Sequence, residues 1–344
     1  MNIEKRHLAI LPKCYAANSI VVDGERRILL ASEGDAPCLA WRGPDYVESH
    51  TVWEGPGGTM AIVPIPGTRG EFLAVQKFYR MFDWEEAKVV HVRPDGARGY
   101  RVTDLVHLPY VHRFDLLTVG DRHYFIACTL ATQKKSIEDW SSAGKIWVGE
   151  YTGPEKLSLT VLKEGITQNH GYYRLMTPDG VRGLVTGREG AFEVTPPDGK
   201  GRGWTVTQFM DWPISDISAI DIDGDGELEF ATIEPFHGTY FRIYKRINGS
   251  FQKIFEHPEV TEFYHVVVGA RLAGVPVFIG GCRRGRQELF YVRADPSNPS
   301  KLKPELIEAG VGPSNVYVLN EAERDIIVAA NRETDEAALY IVTP

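Results

Sequence analysis

The sequence predicts an all-β fold, a seven-bladed β-propeller closed by pairing of its N- and C-terminal strands, and three observations predict it. Short runs rich in β-branched and aromatic residues recur along the 344-residue chain, and no segment keeps a helical period for more than a turn or two. These runs group into a four-strand unit that returns at roughly 40–60 residues, a period typical of propeller blades. The last unit has room for only three strands, and an unpartnered strand at about residues 5–11 precedes the first. Joined, the two complete one blade and leave no open edge.

The units begin near Asn18, Thr59, His112, His170, Asp216, His265 and Asn315. In the first, "SIVVDG" and "RRILLAS" flank a turn at Asp23 and Gly24, residue types that accept the tight backbone of a hairpin. The second pairs "TMAIVPI" with "EFLAVQKFY", and the third pairs "FDLLTVGD" with "HYFIACTL". "RGLVTG" marks the fourth, "DISAIDIDG" with "LEFATIE" the fifth, and "HVVVGAR" with "VPVFIGG" the sixth. The seventh holds "NVYVLN", "DIIVAAN" and "ALYIVTP". No shift in composition marks a second domain, so residues 1–344 read as one.

Composition narrows the function. With 43% hydrophobic and 24% charged residues the chain reads as soluble and globular. Its first residues hold only the short apolar run "LAIL", and no stretch approaches eighteen apolar residues, so neither a signal peptide nor a membrane span is expected. Cys14, Cys38, Cys128 and Cys282 lie far apart with no C-x-x-C pair, which argues against a zinc knuckle or a disulfide framework and for a reducing cytoplasm. A formal charge of −8 with no long basic run excludes nucleic acid as an expected partner, because phosphate binding needs a positive field.

Residues 221–229, "DIDGDGELE", place acidic side chains at alternate positions on a chain turned by Gly224 and Gly226. Hard oxygen ligands arranged this way wrap a calcium ion. The flanks read as strands, unlike those of an EF-hand. The pattern resembles the metal loop of FG-GAP or VCBS-type repeats, which are propeller blades. The resemblance implies a structural calcium with side-chain ligands Asp221, Asp223, Asp225 and Glu229 and a backbone carbonyl from Glu227. Joining the first and second strands of its blade, the loop is expected at the mouth opposite the candidate site, as a staple.

In a propeller, the starts of first strands and the ends of second strands meet at one mouth of the channel. His112, His170 and His265 hold equivalent first-strand positions and are candidate ligands of a divalent transition metal or magnesium, since imidazoles from separate strands assemble such sites. His237 or Glu234 is the candidate base and Tyr172 a candidate acid. Arg188, Arg283 and Arg332, with Lys77, Tyr79 and Glu54, are candidate substrate contacts. Aromatic faces beside such groups suit a small-molecule carbohydrate. A metal that polarises a carbonyl or carboxylate beside a base suits β-elimination, dehydration or isomerisation of a keto-sugar or uronide. The arrangement is loosely similar to propeller sugar lyases, including aldos-2-ulose dehydratases. The alternative is a non-catalytic propeller that binds a glycan or protein partner.

Overall fold

The computed structural model describes residues 1–78, 83–96 and 98–344. It holds seven four-stranded antiparallel sheets, the blades of a β-propeller, and among the described residues the only helical elements are three 3₁₀ turns. No helix in them is long and apolar enough to cross a membrane.

Packing divides the chain into two units, residues 15–212 and residues 1–14 with 213–344. Four blades fall in the first unit. Their innermost strands are Cys14–Val22, Ile62–Pro64, Val111–Val119 and Tyr172–Thr177. The second blade's first strand spans only three residues. Pro64 and Pro66, which lack an N–H to offer a ladder, account for its shortness against the longer run "TMAIVPI". The core of this unit is built from the alternating inward residues of each strand, such as Leu73, Val75, Phe114, Leu116 and Phe125.

The other unit holds three blades, with first strands Asp216–Ile220, Tyr264–Leu272 and Pro313–Asn320. In its last blade the strand Asn2–Ile10 pairs antiparallel with Glu336–Thr343, from Asn2 opposite Thr343 to Ile10 opposite Glu336. The N-terminal strand is thus the fourth strand of the seventh sheet, as the orphan run near residues 5–11 predicts. Its burial alternates weakly because it is an outer strand, whereas Asp325–Asn331 two places inward is buried throughout. All four cysteines are buried with free thiols.

Neighbouring blades are latched by polar side chains near the starts of first strands. Asn18 Nδ2 donates to Ile62 O at 2.6 Å and an Arg113 guanidinium nitrogen to Met60 O at 2.7 Å. His112 Nδ1 meets His170 O at 3.2 Å, and His265 Nδ1 meets Ser314 O at 2.6 Å. His112 and His265 both stand second in their strands, so one register position gives the same latch twice. Such bonds satisfy buried carbonyls that no sheet ladder reaches.

Candidate functional site

In the three-blade unit the loop after Glu229–Glu234 and the entry to Tyr264–Leu272 come together. His237 stacks between Phe236 and Phe263, with ring centroids 4.0 and 4.2 Å away, and lies 5.5 Å from His265. Both His237 (φ 45) and Phe263 (φ 62) adopt the left-handed backbone, which costs a side-chain-bearing residue roughly 1–2 kcal/mol. Three contacts hold them there. His237 N–H donates to Ser215 Oγ at 3.1 Å, Tyr264 N–H to Gly238 O at 3.0 Å, and Arg283 N–H to Phe263 O at 2.9 Å. The turn itself requires Gly238, where a Cβ would lie 2.2 Å from the Glu234 carbonyl.

His265 donates through Nδ1 to Ser314 O, which fixes the tautomer and makes Nε2 the lone-pair nitrogen, the form that ligates metal. Arg283 and Arg284 lie over the Phe263 ring at 4.8 and 5.1 Å. Arg283 and Arg332 both reach Glu333, at 2.8 and 3.0 Å, so one carboxylate offsets the two guanidiniums predicted as anchors. Arg284 is exposed and has no ion-pair partner among the described residues. Phe263, which sequence reasoning passed over, is the ring that joins His237, His265 and both arginines. Its one signal is its place directly before "YHVVV".

Glu234 does not stand as an available base. It is 4% exposed, and it accepts from Thr232 Oγ1 at 2.7 Å, Arg242 at 2.7 Å and Tyr244 Oη at 3.2 Å. A carboxylate with this many donors has its lone pairs occupied and none turned to a substrate.

In the four-blade unit His112 and His170 are buried with ring centroids 4.4 Å apart. His112 spends Nδ1 on His170 O and Nε2 on Tyr15 Oη at 3.4 Å, so both of its ring nitrogens face protein partners rather than an open coordination position. Tyr172 donates to Asp115 at 2.9 Å, and Arg174 forks onto the same 5% exposed carboxylate side chain. Burial and the Asp115 charge push the Tyr172 phenol well up from its ordinary range, which sets it against a role as acid near neutrality.

Lys77 pairs with Glu86 at 2.8 Å, while Glu54 and Arg188 are exposed; Tyr79 lies outside the described residues. Lys134, in the loop that follows the third blade's second strand Arg122–Thr129, lies 3.3 Å from the centroid of the Trp140 ring and 5.5 Å from that of Trp84. Burial lowers its pKa to about 8, against the pull of Asp139 and Glu138. A cavity of about 680 Å³ opens elsewhere, among hairpin turns of the first two blades, lined by Arg27, Arg42, Arg69 and Arg93 with acidic neighbours.

The acidic loop joins the strands Asp216–Ile220 and Glu229–Glu234, at the opposite end of its blade from His237. Carboxylate oxygens of Asp221, Asp223 and Asp225 come within 4.8 Å of one another. Asp221 accepts from Gly224 N–H at 2.7 Å and Gly226 N–H at 3.0 Å, and Asp225 from Glu227 N–H at 3.0 Å. Glu227 is exposed, and Glu229 is fully buried with Oε2 on Ile222 N–H at 2.8 Å. Lys245, on the strand Tyr240–Ile247, sets its ammonium 2.6 Å from Asp223, 2.8 Å from Asp225 and 2.7 Å from Glu229.

No protein-family model matches the chain, and no curated protein sequence does. Solved structures do match. The WD40 β-propeller domain of Doa1 is 12% identical with a TM-score of 0.59, over 98% of this chain and 97% of that one. Virginiamycin B lyase from Staphylococcus aureus is 10% identical with a TM-score of 0.55, over 100% and 99%. A putative 6-phosphogluconolactonase from Bacteroides fragilis is 14% identical with a TM-score of 0.57, over 89% and 88%. The likeness is one of fold alone. Propellers with unrelated tasks share it, so function must be argued from side chains.

Proposed function

We propose that this chain is a carbon–oxygen lyase or isomerase acting on a keto-sugar or uronide, with its chemistry at His237 and His265. The observation that supports this reading is a tautomer-fixed imidazole beside a second imidazole held in a strained backbone, since such strain persists where a site depends on it. Among the structural neighbours are proteins named as a lyase and a lactonase, which agrees with enzymatic use of the fold.

A divalent cation ligated by His265 Nε2 would polarise the carbonyl or carboxylate next to the reacting carbon. Arg284 orients the acid group. His237 takes the proton from the carbon next to that group, and the C–H electron pair becomes the new double bond as the β carbon–oxygen bond breaks. The imidazolium then returns its proton to the departing oxygen. The test is metal content by elemental analysis together with a screen of keto-sugars and uronides. His265→Ala should lose both metal and turnover, and His237→Ala should keep metal with turnover reduced by about 10²–10⁴-fold. His112→Ala and His170→Ala, assayed in the same way, test the other two histidines predicted as ligands. Native protein without stoichiometric metal and without turnover on the panel sinks the proposal.

A second reading has its own support. Glu234 and Tyr172, two groups with the residue types of a base and an acid, are committed to Arg242 and to Asp115. A non-catalytic propeller that binds a glycan or a protein needs neither group available. Ligand binding unchanged across the histidine variants, with no turnover, supports this reading.

A further inference from the structure

We propose that Lys245 is the resident cation of the acidic loop, an ammonium standing where the sequence pattern calls for a metal ion, so that the loop closes without calcium. The Lys245 ammonium donates to Asp223 at 2.6 Å and stands at ion-pair distance from Asp225 and Glu229, at 2.8 and 2.7 Å, so one cation faces three carboxylates. The arrangement follows from strand register. Glu229 and Lys245 are direct partners in the antiparallel ladder, so their side chains share one face of the sheet.

The remaining acceptors have backbone partners. Asp221 takes the Gly224 and Gly226 N–H groups, and Glu229 Oε2 takes that of Ile222. Glu229 is fully buried, and a carboxylate in that position needs a permanent counter-charge.

Calcium takes six to eight oxygens at 2.3–2.6 Å. Three of the four side-chain ligands that the resemblance implies are turned onto Lys245, whose side chain is 13% exposed. The ion could enter only by expelling the ammonium. The loop keeps the residues of a metal site and replaces the metal with a side chain of the same chain. This inference is independent of the proposed activity.

The experiment compares melting of the full chain in EDTA and in millimolar calcium, with calcium content measured after gel filtration. The native protein should melt at the same temperature in both and carry no stoichiometric calcium. Lys245→Met should melt lower in EDTA, by roughly 5 °C or more, and calcium should restore much of the loss because the oxygens are then open to an ion. Adding Glu229→Gln to Lys245→Met removes the buried charge that Lys245 balances, and should regain stability without metal. One calcium per native chain with a raised melting temperature overturns the proposal. So does a Lys245→Met variant as stable as the native protein in EDTA, or a double variant no better than the single one.

Discussion

Lys5 Nζ lies 2.8 Å from the Glu336 carboxylate and 3.0 Å from that of Glu308, which binds the N-terminal strand to the last strand of its own blade and to the blade before it. His7 Nδ1 adds a second contact to Glu336 at 3.1 Å, and Asn331 Nδ2 a third at 2.8 Å. Asn331 is buried but the charged groups are partly exposed, so the ion pairs set register more than they stabilise. The backbone ladder and the covered side chains contribute the rest.

Deleting residues 1–10 removes that strand and uncovers the ladder edge of Glu336–Thr343. The truncated protein should melt well below the native one and aggregate on standing. Size-exclusion chromatography and a thermal scan check this, and a monomer with unchanged melting would contradict it. Lys5→Ala alone should cost no more than about 1 kcal/mol.

A second prediction separates scaffold from chemistry in the four-blade unit. Asp115 accepts from Tyr172 and Arg174 in a buried setting, so Asp115→Ala should cost about 1–3 kcal/mol by leaving both donors short of an acceptor. Tyr172→Phe should cost about 1 kcal/mol and leave any turnover intact. A loss of turnover in Tyr172→Phe at unchanged stability would restore the phenol to the chemistry.

Stability should fall as the solution is acidified through the histidine range. Burial, then Arg27, Arg42 and Arg98, lower the pKa of His50, and burial lowers that of His257 despite nearby Glu288 and Glu259. Both groups are depressed in the fold, so between the ordinary histidine pKa of about 6.5 and their lower folded values the unfolded chain binds more protons. Their contribution is whole above that window and is lost as pH falls through it. His50→Gln should flatten the decline in urea-midpoint measurements between about pH 7 and pH 5, and an unaltered slope would refute the assignment.

His237→Asn tests the strained loop. Asparagine accepts the left-handed backbone with less strain than most residues, so the variant should melt within a few degrees of the native protein although it loses the stack against Phe236 and Phe263. Turnover on a substrate found by the keto-sugar and uronide screen should fall about 10²–10⁴-fold. Full activity in a stable His237→Asn protein would remove the imidazole from the mechanism.

The sequence carried the blades more openly than the contacts between them. Asp216 opens its strand, His112 and His265 stand second in theirs and Asn315 third, because a period-2 run bounded by turns declares its own limits. The grouping of His237 near His265 also follows from register. What register could not show is which partner each charge takes. Glu234 looked available until Arg242 and Tyr244 of the next strand were placed on it, and Tyr172 until Asp115, 57 positions away, was. Lys245 was readable in principle, since a hairpin sets it across from Glu229, but only once the ladder was known residue by residue. Phe263 carries no pattern of its own, and its orientation comes from a backbone conformation that local sequence does not specify.

The seventh sheet also sets an order of assembly. His7 and Glu336 are 329 positions apart, so a ribosome makes the outer strand of that sheet long before the strand it pairs with. At about 5–20 residues per second the early strand waits roughly 15–70 s for its partner. Throughout that interval the nascent chain carries an unclaimed strand edge, and a neighbouring chain on the same messenger RNA could claim it first. The late arrival of Glu336–Thr343 therefore decides whether each copy closes on itself.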